Sequence, residues 1–397
     1  MEKFTVNEPN IITQSLRNLR ALFVDRGFDI RLVGGCVRDL MAGVEPKDID
    51  LCTDANPDEQ IEIYKSANIR YIETGLKHGT ISVVLDNTTY EITSLRTDVE
   101  TDGRHATVAY TRDWLIDLER RDFSINAMSL TFDGELIDPF NGLADLHQGL
   151  VAFVGDPERR IKEDYLRILR WFRFRGRFGM SMSYSSRRAI EKLMPGLNNI
   201  SRERVWSEVR QIISGNNGPY IMTEMQLMGI NQYINLPNDY NWFDVAEPVH
   251  AISKNPVTLL VAMYKPSVLE TLTAWKASNE EMKLASWLCK AWWSNEKESE
   301  LALWSPFKYM AVKGISREWA LELAALRQMD GFDRAILEVC KVPIFPVNGY
   351  DLIALGMKPG PHYTEIMSDL KERWANSNYT LSKEDLLSFV DHLYKIK

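Results

Sequence analysis

Residues 31–52, RLVGGCVRDLMAGVEPKDIDLC, hold the side chains whose types and spacing could do chemistry. Apolar Leu32 and Val33 run into Gly34 and Gly35, Arg38 and Asp39 follow, and nine residues past Asp39 come Asp48 and then Asp50. Paired glycines let the backbone approach a phosphate with no Cβ in the way. A turn of this kind offers N–H donors to an anion, and a helix N-terminus behind it adds its dipole. Arg38 has a planar fork that can pair with a triphosphate oxygen. Asp48 and Asp50 are two apart, so on a strand both carboxylates point to one face. Two hard oxygen ligands on one face are what a pair of Mg²⁺ ions needs to hold a nucleoside triphosphate. Either fragment alone is an ordinary turn; their joint order carries the reading.

The elements that must position these groups read as a small sheet with helices. Residues 11–26 place Ile12, Leu16, Leu19 and Leu22/Phe23 at helical spacing, and Gly27 ends that helix. A strand at 30–33 precedes the glycine turn, and 55–67 opens a helix with Pro-Asp-Glu in its first turn. Residues 69–95 alternate as strands around an Asp86-Asn87 turn. This is an α+β head.

Composition bounds the rest. A chain of 397 residues, 45% hydrophobic and 26% charged, buries a sizeable core in several modules and is not a disordered polymer. No run of eighteen apolar residues occurs, and the first residues carry acids without an apolar stretch. Cysteines at 36, 52, 289 and 340 show no CxxC pairing and fit free thiols, which makes a cytoplasmic location the expectation. A net charge of −8 argues against a general nucleic-acid coat, yet 159–177 holds eight Lys/Arg against two acids. Such asymmetry suits a grip on one anionic ligand.

In the order strand, GG, RD, DxD, the first motif resembles the class II tRNA nucleotidyltransferases, the CCA-adding enzymes and bacterial poly(A) polymerases of the polymerase β superfamily. Further motifs extend the resemblance through about residue 210. The segment Gly75-Leu76-Lys77-His78-Gly79-Thr80, followed by EITSLRTD, is similar to the CCA-adding branch rather than the poly(A) branch. Residues 98–119 read alone as a surface loop, and TDGRHA within them resembles the flexible loop associated in that family with switching from C to A addition. Arg120-Arg121-Asp122 with Asn126 resembles the second motif, which implies a phosphate contact for Arg121 and ribose or shaping roles for Asp122 and Asn126. Asp138 to Leu146 resembles the hinge between head and neck.

Residues 161–174 are expected to form one amphipathic helix, with Ile161, Tyr165, Ile168, Leu169 and Phe172 on its apolar stripe. Glu163, Arg167, Arg170 and Phe174 then cluster opposite, with Asp164 flanking. The string resembles the family's EDxxR motif, a protein template for the base. A carboxylate accepts from an exocyclic amine, and a guanidinium donates to a ring nitrogen or carbonyl. Cytosine and adenine offer that pattern; uracil and guanine present a ring N–H to a donor. The resemblance assigns base choice to Asp164 and Arg167, orientation of the arginine to Glu163, and triphosphate or RNA contacts to Arg170 and Arg173.

The expected organisation is a catalytic head (1–150), a neck (151–215), a helical body (216–340) and a helical tail (341–397). Residues 203–209 resemble a fifth motif, the tryptophan-rich body shows no recognisable chemistry, and Lys358 beside a PGP turn could meet backbone phosphate. The resemblance implies template-independent addition of CCA to a tRNA 3′ end from CTP and ATP, with no membrane and no obligate protein partner. In that reading Asp48, Asp50 and Glu91 are catalytic, the first two hold Mg²⁺, and Gly35, Arg38 and Arg121 hold the triphosphate. CC-only or A-only addition, or poly(A) synthesis, stays open on the same head. A catalytically silent RNA-binding protein is the rival from another class, and the intact Asp48/Asp50 pair weighs against it.

Overall fold

A computed structural model describes residues 4–5, 11–101, 106–179, 181–238, 246–292, 305–357 and 360–394. Residues 102–105 of the loop motif, and Lys358, lie outside this set. The chain forms two compact units, 1–236 and 237–397.

The first unit begins with β1 (Phe4–Thr5), α1 (Gln14–Val24), β2 (Ile30–Val33), α2 (Gly35–Met41), β3 (Asp50–Thr53) and α3 (Pro57–Ser66). Strands β4 (Tyr71–Gly75), β5 (Thr80–Leu85) and β6 (Thr88–Ser94) follow, then β7 (Arg96–Thr101), β8 (Ala106–Tyr110) and α4 (Trp114–Glu119). The head closes with β9 (Ser129–Leu130), β10 (Glu135–Ile137) and α5 (Gly142–His147). Eight strands form one sheet in the order β1-β10-β9-β2-β3-β6-β5-β4. It is mixed: β3 and β6 run parallel, and the other pairings are antiparallel. The expected α+β head is present.

Local chemistry explains the elements around the site. Asn56 caps α3 and Glu59 returns the bond to the Asn56 N–H, a reciprocal box of about 1 kcal/mol. Leu16, Leu19 and Phe23 of α1 and Ile63 and Tyr64 of α3 bury their apolar faces with Ile30, Leu32, Leu51, Ile81 and Ile92 of the sheet. Each such side chain contributes about 1.5–3 kcal/mol relative to exposure. That packing fixes the C-terminal end of β2 and the N-terminal end of β3, where the glycines and the acids sit.

Residues 98–119 differ from the loop expectation. On either side of 102–105 they form the β7–β8 hairpin, with Arg96 opposite Tyr110, and then α4. At its root the Tyr110 ring lies against Gly79, and Arg96 donates to the His78 carbonyl.

Beyond the head, the first unit continues with α6 (Pro157–Glu163), α7 (Arg167–Phe178), α8 (Tyr184–Leu193), α9 (Arg202–Ser214), α10 (Gly218–Leu227) and α11 (Asn231–Ile234). This unit runs to Leu236, so α10 and α11 lie within it. The described elements of the second unit are helical, from Glu247–Ile252 to Lys383–Tyr394.

Candidate active site

The glycine pair divides its labour. Gly34 takes φ +67°, and a Cβ there would sit 2.4 Å from the Arg121 guanidinium. A side chain at 34 therefore costs both backbone strain and the arginine's position. Gly35 opens α2; a Cβ there would meet only Arg38 and Asp50, at ordinary contact distance. Three residues on, Arg38 is buried, donates to Asp39 Oδ1 at 2.9 and 2.8 Å and to Asn126 Oδ1 at 2.6 Å, and lies 4.4 Å from the Phe178 ring centre. Burial lowers its pKa from the usual guanidinium value, against the opposing pull of Asp39.

A cavity of about 620 Å³ opens beside these residues. Arg38, Arg96, Arg120, Arg121, Arg167, Arg170 and Arg204 line it against only Asp122 and Asp164. Seven guanidinium groups facing two carboxylates make a site for a polyanion. Asp117, 1% exposed, accepts from Arg120 at 2.8 Å and from Arg121 at 3.2 Å and so aims both. Burial alone would raise the Asp117 pKa; the two arginines outweigh it and hold it below the usual range. Asp122 is fixed in the same way, by Arg170 at 2.6 Å and by Asn126 Nδ2 at 3.0 Å, and its pKa is held down despite burial. The Arg121 Nε–H is buried without a protein partner, a donor that water or an anion would satisfy.

The acids line a neighbouring cavity of about 560 Å³. Asp50 is the first residue of β3, Asp48 precedes the strand by two, and both face this space. Glu91 lies directly across from Asp50 in the parallel β3–β6 register, which puts both side chains on one face of the sheet. Crowding by surrounding protein raises the Asp50 pKa, and Asp48 and Glu91 add to it against Arg121 and Arg38. Among the described residues, none of the three carboxylates makes an ion pair within 4.0 Å, and no three acid, cysteine or histidine side chains form a closed metal cage.

The base-reading segment departs from the expected single helix. Helix α6 ends at Glu163, Asp164 is extended at φ −156° and ψ 107°, and α7 starts at Arg167. The Asp164 side chain accepts from the Leu166 N–H at 3.1 Å, a local bond that competes with the helical ladder. Asp164 and Arg167 thus flank a break instead of sharing a rigid helix. Glu163 spans it, accepting from Arg167 at 2.6 Å and from Arg160 at 2.8 Å. These bonds hold its pKa down against burial. Phe174, expected among the polar residues, is buried against Phe123.

Of the residues assigned to nucleotide binding, Arg173 does not line the arginine-lined cavity. Glu208 at 2.8 Å and the Gln211 amide oxygen at 2.8 Å draw it into a smaller cleft between α7 and α9. Gly35, Arg38, Arg121, Asp122, Asn126, Asp164, Arg167 and Arg170 do line the larger one. Sequence reasoning missed Asp117, Arg96 and Arg204. Asp117 had an available signal, standing four residues before Arg121 on a short helix; Arg204, which reaches Asp164 at 2.7 Å, had none.

An arginine-lined cavity beside a trio of acids, on a mixed sheet trailed by helices, defines a nucleotidyltransferase. Known proteins agree. The family described as "Poly A polymerase head domain" matches residues 30–152, and "Probable RNA and SrmB- binding site of polymerase A" matches 179–238. The mitochondrial CCA tRNA nucleotidyltransferase 1 of Mus musculus is 37% identical over 96% of this chain and 91% of its own length. The CCA-adding enzyme of Pediococcus pentosaceus is 29% identical over 94% and 96%. Among solved structures, the Bacillus stearothermophilus CCA-adding enzyme in complex with CTP superposes with a TM-score of 0.78 at 25% identity, covering 98% of both chains. The Thermotoga maritima CCA-adding enzyme complexed with tRNA shares the fold at a TM-score of 0.65 and 20% identity, over 95% of both chains. The chain belongs to the CCA tRNA nucleotidyltransferase family.

Proposed function

We propose that this protein adds CCA to the 3′ end of tRNA from CTP and ATP, choosing each base with protein side chains. The observation that carries the reading is the adjacency of the arginine-lined cavity to the Asp48/Asp50 cavity, with Gly35 and Arg38 common to both. The tRNA 3′-hydroxyl attacks the α-phosphorus; a P–O bond forms there, the bond to the β-phosphate oxygen breaks, and pyrophosphate leaves. Arg38, Arg121 and Arg170 hold the triphosphate and the charge that builds on it. Asp122 and Asn126 keep Arg170 and Arg38 in place, Asp164 and Arg167 read the base, and Glu163 orients Arg167.

Asp48 and Asp50 would hold Mg²⁺. Their hard oxygens, the absence of an ion pair to either within 4.0 Å among the described residues, and the like-charge pressure on Asp50 all fit a divalent ion. When bound, the ion lowers the pKa of the attacking hydroxyl and screens the transferring phosphate. Glu91, across from Asp50, is the third carboxylate and accepts the hydroxyl proton.

The division at 150, 215 and 340 into head, neck, body and tail and the cytoplasmic location belong to this reading too. The fold has no described helix long and apolar enough to cross a membrane, and its mammalian relatives are named as mitochondrial.

The test is extension of a tRNA ending at the discriminator base, with Mg²⁺ and each nucleoside triphosphate alone or combined. Product that stops after CCA supports the reading. A stop at CC or a long A ladder would move the protein to another activity on the same head.

A further inference from the structure

Glu163 is not the only support of Arg167. The Arg167 Nη1 donates to Glu163 Oε2 at 2.6 Å and to the backbone carbonyl of Arg160 at 2.9 Å. Arg160 stands in the last turn of α6, where carbonyls find no partner further along the helix. Arg167, from the start of α7, thus closes the end of α6 across the break.

The Arg160 side chain works at the same place. The residue is buried, its Nη1 donates to that same Glu163 oxygen at 2.8 Å, and its Nε–H donates to the Val154 carbonyl at 3.2 Å. Val154 in turn donates its N–H to the Asp122 carbonyl at 3.1 Å. A path of hydrogen bonds therefore runs from Asp122, which holds Arg170, through Val154 and Arg160 to Glu163 and Arg167. Arg160 is not among the residues that line the arginine-lined cavity. Its neighbour Arg159 gives a contrast, with a side chain 73% exposed that lies 3.5 Å from the other Glu163 oxygen.

A base and its triphosphate are two ends of one molecule, so choosing the base requires a reader at a fixed distance from the phosphate grip. Glu163 ends α6 and has a flexible side chain; the planar Arg160 fork fixes which oxygen it turns to Arg167. Without that fork the carboxylate is free to turn toward Arg159 and water.

We propose that Arg160 is a positioning residue for base choice: it locks Glu163 and, through Val154, sets Arg167 at a fixed distance from the triphosphate site at Asp122. This rests on the reading of Asp164 and Arg167 as the base reader. Arg160 touches neither the base nor the reacting atoms. A loosened Arg167 no longer meets the uracil ring N–H with a fixed donor, so exclusion of UTP weakens first.

The test uses full-length protein and a tRNA lacking CCA, and measures kcat/KM for CTP and for UTP. Both values come from one preparation, so the folded fraction cancels in their ratio and a merely structural loss leaves it unchanged. R160M, which keeps an apolar stem without the fork, is expected to lower the ratio by about tenfold, the order of one charge-assisted hydrogen bond. R160Q keeps an N–H donor but no charge for Glu163; it should show a similar loss and stands in where R160M does not fold. R159A should keep the parent ratio. Adding R160M to E163Q should lower the ratio no further than E163Q alone, because one residue acts through the other. A parent ratio in the folded Arg160 variants would overturn the proposal. So would an equal loss in R159A, or losses that multiply in the double variant. If the unaltered protein transferred no nucleotide, or used UTP as readily as CTP, the base-reading assignment itself would fall, an outcome seen before any variant is made.

Discussion

Asp164 is held by Arg204, forty positions away on α9, at 2.7 Å, and not by the arginine three residues beyond it. The carboxylate proposed to read a base is therefore oriented from a separate helix, while Arg167 is oriented by Glu163. The two halves of the reader have independent supports.

Removing Arg204 should loosen one half only. R204A is expected to lower discrimination of CTP over UTP by about tenfold, the order of one charge-assisted hydrogen bond. Turnover with CTP should fall less than selectivity does. Single-nucleotide incorporation with each triphosphate measures it, and a variant as strict as the parent would remove Arg204 from base choice.

Asp48→Ala and Asp50→Ala test the acids. Each should lower the rate of nucleotide addition by at least about a thousandfold, several kcal/mol of transition-state stabilisation. CTP binding in the arginine-lined cavity should survive, and equilibrium titration checks it. Residual turnover near that of the parent would sink the assignment.

Asp117 makes a prediction about pH. Its folded pKa lies below the unfolded value of 3.8, because Arg121 and Arg120 outweigh burial. The stability it contributes is complete above 3.8 and is lost as pH falls through the lower folded value. D117N should thus cost about 2 kcal/mol at pH 7, since two part-buried guanidinium groups lose their charged partner. The difference between variant and parent should shrink below pH 3.8, which urea unfolding at pH 7 and pH 3 will read.

At the hairpin root, Gly79 has φ +73°, and a Cβ there would lie 2.8 Å from the Tyr110 ring. G79A should destabilise by about 1 kcal/mol through the positive φ and displace Tyr110. Addition of the final A is expected to suffer more than addition of the two C residues. Equal loss of both would separate the hairpin from the switch between bases.

The sequence made legible those features whose partners are close along the chain. The β2 strand, the glycine turn, the capped α3 and the β4–β6 run all follow from local spacing; Asp48 and Asp50 line one cavity, but Asp48 stands before β3 and not on it, so strand alternation does not account for its direction. The break after Glu163 was hidden, because the apolar stripe runs on at helical spacing while Asp164 satisfies a backbone N–H itself. The Asp39–Arg177 pair joins positions 138 apart, and Arg173 was diverted by Glu208, a residue of another helix. Periodicity does not report contacts of that kind.

The break also frees the reader mechanically. Buried Trp171 and Phe172 anchor α7, and with it Arg167, whereas Asp164 sits on an extended residue outside either helix. A turn of the Asp164 side chain, at the cost of its bonds to Arg204 and the Leu166 N–H, would change the spacing between carboxylate and guanidinium without unwinding a helical turn. A caliper with one fixed jaw and one sliding jaw can close on a small pyrimidine and open for a larger purine.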